Sequence, residues 1–206
     1  MIELHDLEQD ALTEIFNIGV GIAADALYQM VGEQVPLSVP VVELTSHNAA
    51  RTRHLDQGHR SLYAIRQTYC GEITTDAVLM FPEESSAALV RMMVGGDLPQ
   101  DELAGVTNDA LGELGNIILN AVISELASAL AMRLEGSLPE VSIVNSEAIF
   151  DQPGGHGDHA SESPVLVLMI DFELSTQRAQ GYLAFMLDTA STENLVGRLT
   201  QYVNVS

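Results

Sequence analysis

Residues 9 to 17 read QDALTEIFN, and residues 108 to 116 read NDALGELGN. The two stretches lie 99 positions apart (116 minus 17), with Asp, Glu and Asn at the same offsets in both. Aligned without gaps at that offset, Asp10 to Pro40 matches Asp109 to Pro139 at Asp, Ala, Leu, Glu, Asn, Ile, Leu and Pro. Self-similarity over such a length marks a duplicated unit, and it decides the fold. The chain is therefore read as one domain made of a first half, 1–98, and a second half, 99–206.

The ends of the halves echo each other as well. VLMFPEESSAALVRMM (78–93) resembles AFMLDTASTENLVGRL (184–199), at a slightly longer offset because the second half carries a longer loop. Apolar periodicity predicts helices over about 7–33, 83–94, 107–134 and 189–201. It predicts strands near 37–46, 61–69, 73–82, 140–149, 164–174 and 180–188. GGDLPQDELAG (95–105) has the Gly, Pro and acidic content of a linker, and 47–60 and 151–163 look like excursions between strands. Short strands in each half cannot form a stable sheet alone. The expectation is an α+β fold: a pseudo-twofold repeat of helix, strands and helix, with the long motif helices packed on a shared, antiparallel-rich sheet.

Composition narrows the function. Apolar residues make up 47% of the chain and Trp is absent, so the core must be built from aliphatic side chains. The formal net charge is −21, all eight basic residues are Arg, and Lys does not occur. Such a surface repels phosphate backbones and anionic lipid, which argues against nucleic-acid and membrane-surface partners. The missing Lys excludes a P-loop and Schiff-base chemistry. The single Cys70 has no intramolecular disulfide partner and is read as a buried strand thiol. The acidic N-terminus and the lack of a run of 18 apolar residues predict a soluble, cytoplasmic protein.

On a helix, steps of three and four residues return to one face, so Asp10, Glu14, Asn17, Gly21 and Asp25 form a stripe. Asp109, Glu113, Asn116, Asn120 and Ser124 form the same stripe in the second half. The remaining faces carry Leu12, Ile15, Ile22, Ala26 and Met30, and Leu111, Leu114, Ile118, Val122 and Ala129, so the stripes are expected to face solvent. One such stripe would be the solvated face of an amphipathic helix. Asn, however, is a poor mid-helix residue, and finding it twice at the same distance from Glu asks for another reason. A carboxamide can donate and accept together, so it can hold a water in line with an electrophile while the Glu pairs with a cation on a partner. That suits hydrolysis of an already labile bond, such as an acyl phosphate on another protein.

Asp or Ser, three residues, Glu, two residues, Asn, then 22 residues and Pro resembles the signature of the CheC, CheX and FliY family of chemotaxis phosphatases. The pattern is complete twice: Asp10, Glu14, Asn17, Pro40 and Asp109, Glu113, Asn116, Pro139. EIFNIGVGIAADAL (14–27) and EESSAALVRMM also look like CheC, as do two complete motifs in one chain. The resemblance implies a CheY-type response regulator phosphorylated on Asp as substrate. Asn17 and Asn116 would each orient the attacking water, and Glu14 and Glu113 would meet a basic side chain of the docked regulator. Mg2+ would come from the regulator, so the protein needs no cofactor or metal of its own. By the same resemblance Asp10 and Asp109 assist docking or helix geometry, and Pro40 and Pro139 set the turn from helix into strand.

Two features depart from the pattern. Ile22 stands where CheC proteins often have Asn, and Asp25 replaces the usual small hydroxyl residue. The added charge beside the first site makes it the weaker of the two, and a surface this acidic favours a regulator with exposed basic residues.

Other readings rank lower. His156, Asp158 and His159 lie close in sequence, with His54 and His59 in the equivalent loop, but they lack the spacing of a metal site. Sugar hydrolysis is disfavoured by the absence of Trp platforms. The main alternative is a non-catalytic module that binds a regulator or a CheD-like deamidase, a partner of some family members. VRMMVGG (90–96) and the helices after each sheet would then supply the contact surface.

Overall fold

The computed structural model describes residues 4–50, 52, 61–95, 99–145, 164–173 and 178–205. Helix α1 (Asp6–Val31) forms because Leu12, Ile15, Phe16, Gly19, Val20, Ala23 and Leu27 recur at helical spacing and bury one face. It starts with the Glu8 carboxylate accepting the His5 backbone N–H at 2.9 Å. It stops at Gly32, whose φ of 77° is left-handed and whose N–H reaches Tyr28 O. Strand β1 (Leu37–Ser46) follows, then the short α2 (His47–Ala50). The hairpin β2 (Leu62–Gly71) and β3 (Thr75–Pro82) leads into α3 (Glu83–Val94).

The second half repeats this order. Helix α4 (Gln100–Ala129) is followed by β4 (Leu134–Gly136) and β5 (Glu140–Val144), both pairing with β2. The hairpin β6 (Pro164–Glu173) and β7 (Arg178–Leu187) leads into α5 (Thr189–Val205). Arg198 of α5 donates to Leu130 O and Ala131 O at 3.0 and 2.9 Å, closing the C-terminal end of α4.

The strands form one antiparallel sheet in the order β1-β6-β7-β3-β2-β4, with β5 also on β2. The halves interleave: β1 of the first pairs with β6 of the second, and β5 of the second pairs with β2 of the first. Exchanging β1, β2 and β3 for β5, β6 and β7 returns the same order read from the other edge. The central pair β3 and β7 joins the two hairpins. Neither half can complete its sheet without the other.

Helices α1 and α4 lie side by side on one face of this sheet. A Cβ on Gly19 would come within 2.9 Å of the Val122 backbone, so this glycine sets how closely the helices approach. The main core fills the helix–sheet interface, with Phe16 stacked on Phe185 at 5.9 Å and Phe81 edge-on to Phe172 at 5.4 Å. By length and composition both long helices could cross a membrane, yet their apolar stripes are packed in this core.

Several expectations need correction. The stretch 95–105 is not a linker throughout: α4 already begins at Gln100 behind Pro99, because Pro is well placed before the first helical turn and Leu103 is buried. Ile22 and Met30 are exposed (47% and 43%), because α4 and the sheet cover only the side of α1 centred on Phe16 and Ala23. Cys70 is exposed rather than buried, near the end of β2 where only the short β4 flanks it. Pro40 lies within β1, not at the helix-to-strand turn. It sits in a register shift between Ser38 and Val41 on an edge strand, where a residue without an N–H is tolerated. His54, His59, His156, Asp158 and His159 lie outside the described residues.

Candidate functional site

The two stripes occupy the outer sides of α1 and α4. Asp10 and Glu14 are exposed and Asn17 is half-buried; Asp109, Glu113 and Asn116 repeat those states in turn. The four carboxylates make no hydrogen bond or ion pair with the described residues and so remain available to an external cation. No cluster of three or more His, Cys, Asp or Glu able to hold a metal occurs among the described residues.

The two carboxamides are held differently. In the first half, Asn17 Nδ2 donates to Thr13 O at 2.9 Å, and Asn17 Oδ1 accepts the Val39 N–H at 3.0 Å. Val39 lies inside the irregular stretch of β1, next to Pro40, so Asn17 satisfies a donor that the sheet leaves unpaired. The spacing from Asn17 to Pro40 thus has a structural use as well as a chemical one. A groove of about 470 Å³ runs beside this site, lined by Asp10, Thr13, Pro40 and their neighbours.

In the second half, Asn116 Oδ1 accepts from Asn120 Nδ2 at 2.8 Å, and Asn116 Nδ2 has no partner among the described residues. Leu138, the counterpart of Val39, is 86% exposed where Val39 is 3% exposed. Asn120 Oδ1 in turn faces Tyr69 Oη at 3.0 Å and Gln67 Nε2 at 3.5 Å. Tyr69 also reaches Gln67 Oε1 at 2.9 Å, and Gln67 Nε2 donates to Ser137 O at 2.6 Å. Burial pushes the Tyr69 phenol well above its usual range, so it keeps its proton and remains a donor. A second groove, of about 520 Å³, is lined by Tyr69, Asn120, Ser124 and Arg133. Gly115 lets α4 sit directly on β2 here, since its Cβ would fall 2.4 Å from Ile65 Cγ2.

Sequence reasoning placed the Asp, Glu and Asn positions and Asn120 on their stripes. It missed Thr13, Val39, Gln67, Tyr69 and Ser137. Gln67 and Tyr69 did leave a signal, as two polar groups two residues apart on the helix-facing side of β2, in line with Ile65.

The fold and stripes define a class: a two-layer α+β protein presenting paired carboxylates and a carboxamide from each of two helices. Residues 63–157 match the family model described as chemotaxis phosphatase CheX. The CheY-P phosphatase CheC of Bacillus subtilis is 26% identical over 195 residues, covering 91% of each chain. The crystal structure of Thermotoga maritima FliY has a TM-score of 0.75 at 21% identity, covering 99% of each chain. The CheX-CheY-BeF3-Mg2+ complex of Borrelia burgdorferi has a TM-score of 0.51 at 13% identity, covering 84% of this chain and 99% of the other. The chain is similar in sequence and fold to members of the CheC, CheX and FliY family of chemotaxis phosphatases.

Proposed function

We propose that this protein hydrolyses the aspartyl phosphate of a CheY-type response regulator in the cytoplasm. The observation that carries the reading is the doubled stripe: exposed Glu and a half-buried Asn one turn on, in both α1 and α4, with no Ser, Cys or His side chain bonded to them among the described residues. The CheC relative and the CheX-CheY complex support both the reaction and the partner.

Glu14 or Glu113 pairs with a basic side chain of the docked regulator and fixes its approach. Asn17 or Asn116 then orients a water against the phosphorus, in line with the bond to the regulator's Asp. Mg2+ held by the regulator neutralises the phosphoryl oxygens, so this chain contributes geometry rather than a covalent intermediate. Asp10 and Asp109 add to the negative field that draws in a basic partner.

The second site carries the larger share. Asn17 spends one N–H on Thr13 and one lone pair of its oxygen on Val39, whereas the Asn116 NH2 has no partner among the described residues. The test is the decay of a phosphorylated regulator from the same genome with wild type, Asn17→Ala, Asn116→Ala and the double variant. Stepwise loss, steeper for Asn116→Ala and complete in the double variant, is expected. Binding of the regulator with an unchanged phosphate half-life would refute the enzyme reading and leave a non-catalytic module for a regulator or a CheD-like partner.

A further inference from the structure

We infer that Asn120, Tyr69 and Gln67 form a positioning device for the second site, which orients the Asn116 carboxamide from beneath α4 and has no counterpart at the first site. The inference rests on the phosphatase reading for its catalytic meaning. Its structural content stands on hydrogen bonding alone.

The direction of the network follows from its anchor. Ser137 is tied to β2 on both sides, its N–H donating to Thr68 O at 2.8 Å and its Oγ accepting from Thr68 N–H at 3.1 Å. Its carbonyl can only accept, so the Gln67 group 2.6 Å away must be the NH2, and Gln67 Oε1 turns toward Tyr69. The single Tyr69 proton is shared between Gln67 Oε1 and Asn120 Oδ1, the Gln67 amide faces Asn120 Oδ1 at 3.5 Å, and the Asn120 NH2 is directed to Asn116 Oδ1. A backbone carbonyl two residues before Pro139 therefore anchors the chain of side chains that ends on Asn116. Gln67 and Tyr69 are 3% and 2% exposed, so bulk water does not compete with this chain of bonds.

At the first site the same positions are apolar or empty. Gly21 replaces Asn120 at the same offset, and the core-facing residues of β6, the strand that corresponds to β2, include Leu166, Leu168 and Ile170. The asymmetry is written into the buried side of the sheet rather than the exposed motif.

The experiment compares Tyr69→Phe and Asn120→Ser, each in an Asn17→Ala and an Asn116→Ala background. Phosphorylated CheY-type regulator is followed over a range of concentrations to separate kcat from KM. Tyr69→Phe keeps the ring and removes only the hydroxyl. It should lower kcat about three- to tenfold in the Asn17→Ala background, the size of one lost hydrogen bond, with KM changed less than about twofold. In the Asn116→Ala background it should change nothing. Equal losses in both backgrounds would mean a general effect on the fold and would overturn the inference.

A second readout needs no activity: the side-chain NH2 signals of Asn116 in the 15N spectrum should shift in both variants while those of Asn17 stay in place. Unmoved Asn116 signals would overturn the device whatever the kinetics. If wild type accelerates no regulator but the Asn116 signals respond, the phosphatase reading fails and the network stands.

Discussion

Gly115→Ala tests whether α4, and with it Asn116, is seated on β2 as described. Two effects oppose each other. Replacing a mid-helix Gly by Ala is worth about 0.5–1 kcal/mol through lost unfolded-state freedom and higher helix propensity. Against this, the new Cβ would lie 2.4, 2.9 and 3.2 Å from Ile65 Cγ2, Cβ and Cγ1, well inside van der Waals contact at about 3.5–4.0 Å. Ile65 is fully buried and β-branched, so it cannot swing away, and overpacking of this kind costs about 1–3 kcal/mol. The clash wins by about 1–2 kcal/mol, a fall in Tm of roughly 2–8 °C for a chain of this size. Gly105→Ala is the internal control: it lies in the same helix with nothing within 4 Å of its Cβ, and should raise stability by about 0.5–1 kcal/mol. Urea titration of both variants, followed by far-UV circular dichroism, measures the contrast. A cycle with Ile65→Ala should show favourable coupling on the order of 1 kcal/mol, because truncating Ile65 vacates the contested space. If Gly115→Ala stabilises as much as Gly105→Ala, the helix does not rest on β2 at this point and the seating of Asn116 is wrong.

Three further outcomes are expected. Asn17→Ala should destabilise the fold by about 1 kcal/mol, because it strands the Val39 N–H, whereas Asn116→Ala should be close to neutral; paired urea midpoints decide this. Burial raises the Glu8 pKa, but the hydrogen bonds from Thr200 and the His5 backbone, aided by the His5 charge, outweigh it and hold the carboxyl below its usual value. A depressed folded pKa stabilises above the unfolded pKa and is lost as pH falls through the folded one. Glu8→Gln should therefore cost stability at pH 7, about 0.5–2 kcal/mol as for other caps, and the gap should close below about pH 4 in a pH series of denaturation curves. Arg198→Met keeps most of the stem but removes the two donors to Leu130 O and Ala131 O. It should speed hydrogen exchange in the last turn of α4 more than in its first half.

The sequence by itself determined which motif residues face outward on the two helices, that one motif is written twice, and which family the chain resembles. These are local or repetitive signals: a 3.6-residue period fixes a helix face, and two copies of Asp, Glu and Asn fix the motif wherever the helices end up. The strands were legible for the same reason, although alternation said nothing about their partners. That β1 of one half completes the hairpin of the other, that Ile22 and Cys70 stay exposed, and that Pro40 sits inside a strand all depend on what packs alongside, which local propensity does not contain.

Tertiary structure alone decided how the two carboxamides differ. Asn17 and Asn116 are the same residue in the same motif. One finds an unpaired backbone N–H on an edge strand, and the other finds a neighbouring amide held by a buried Tyr and Gln. The hydrogen bonds open to a side chain are set by groups brought close through space, from β1 in one case and from β2 in the other.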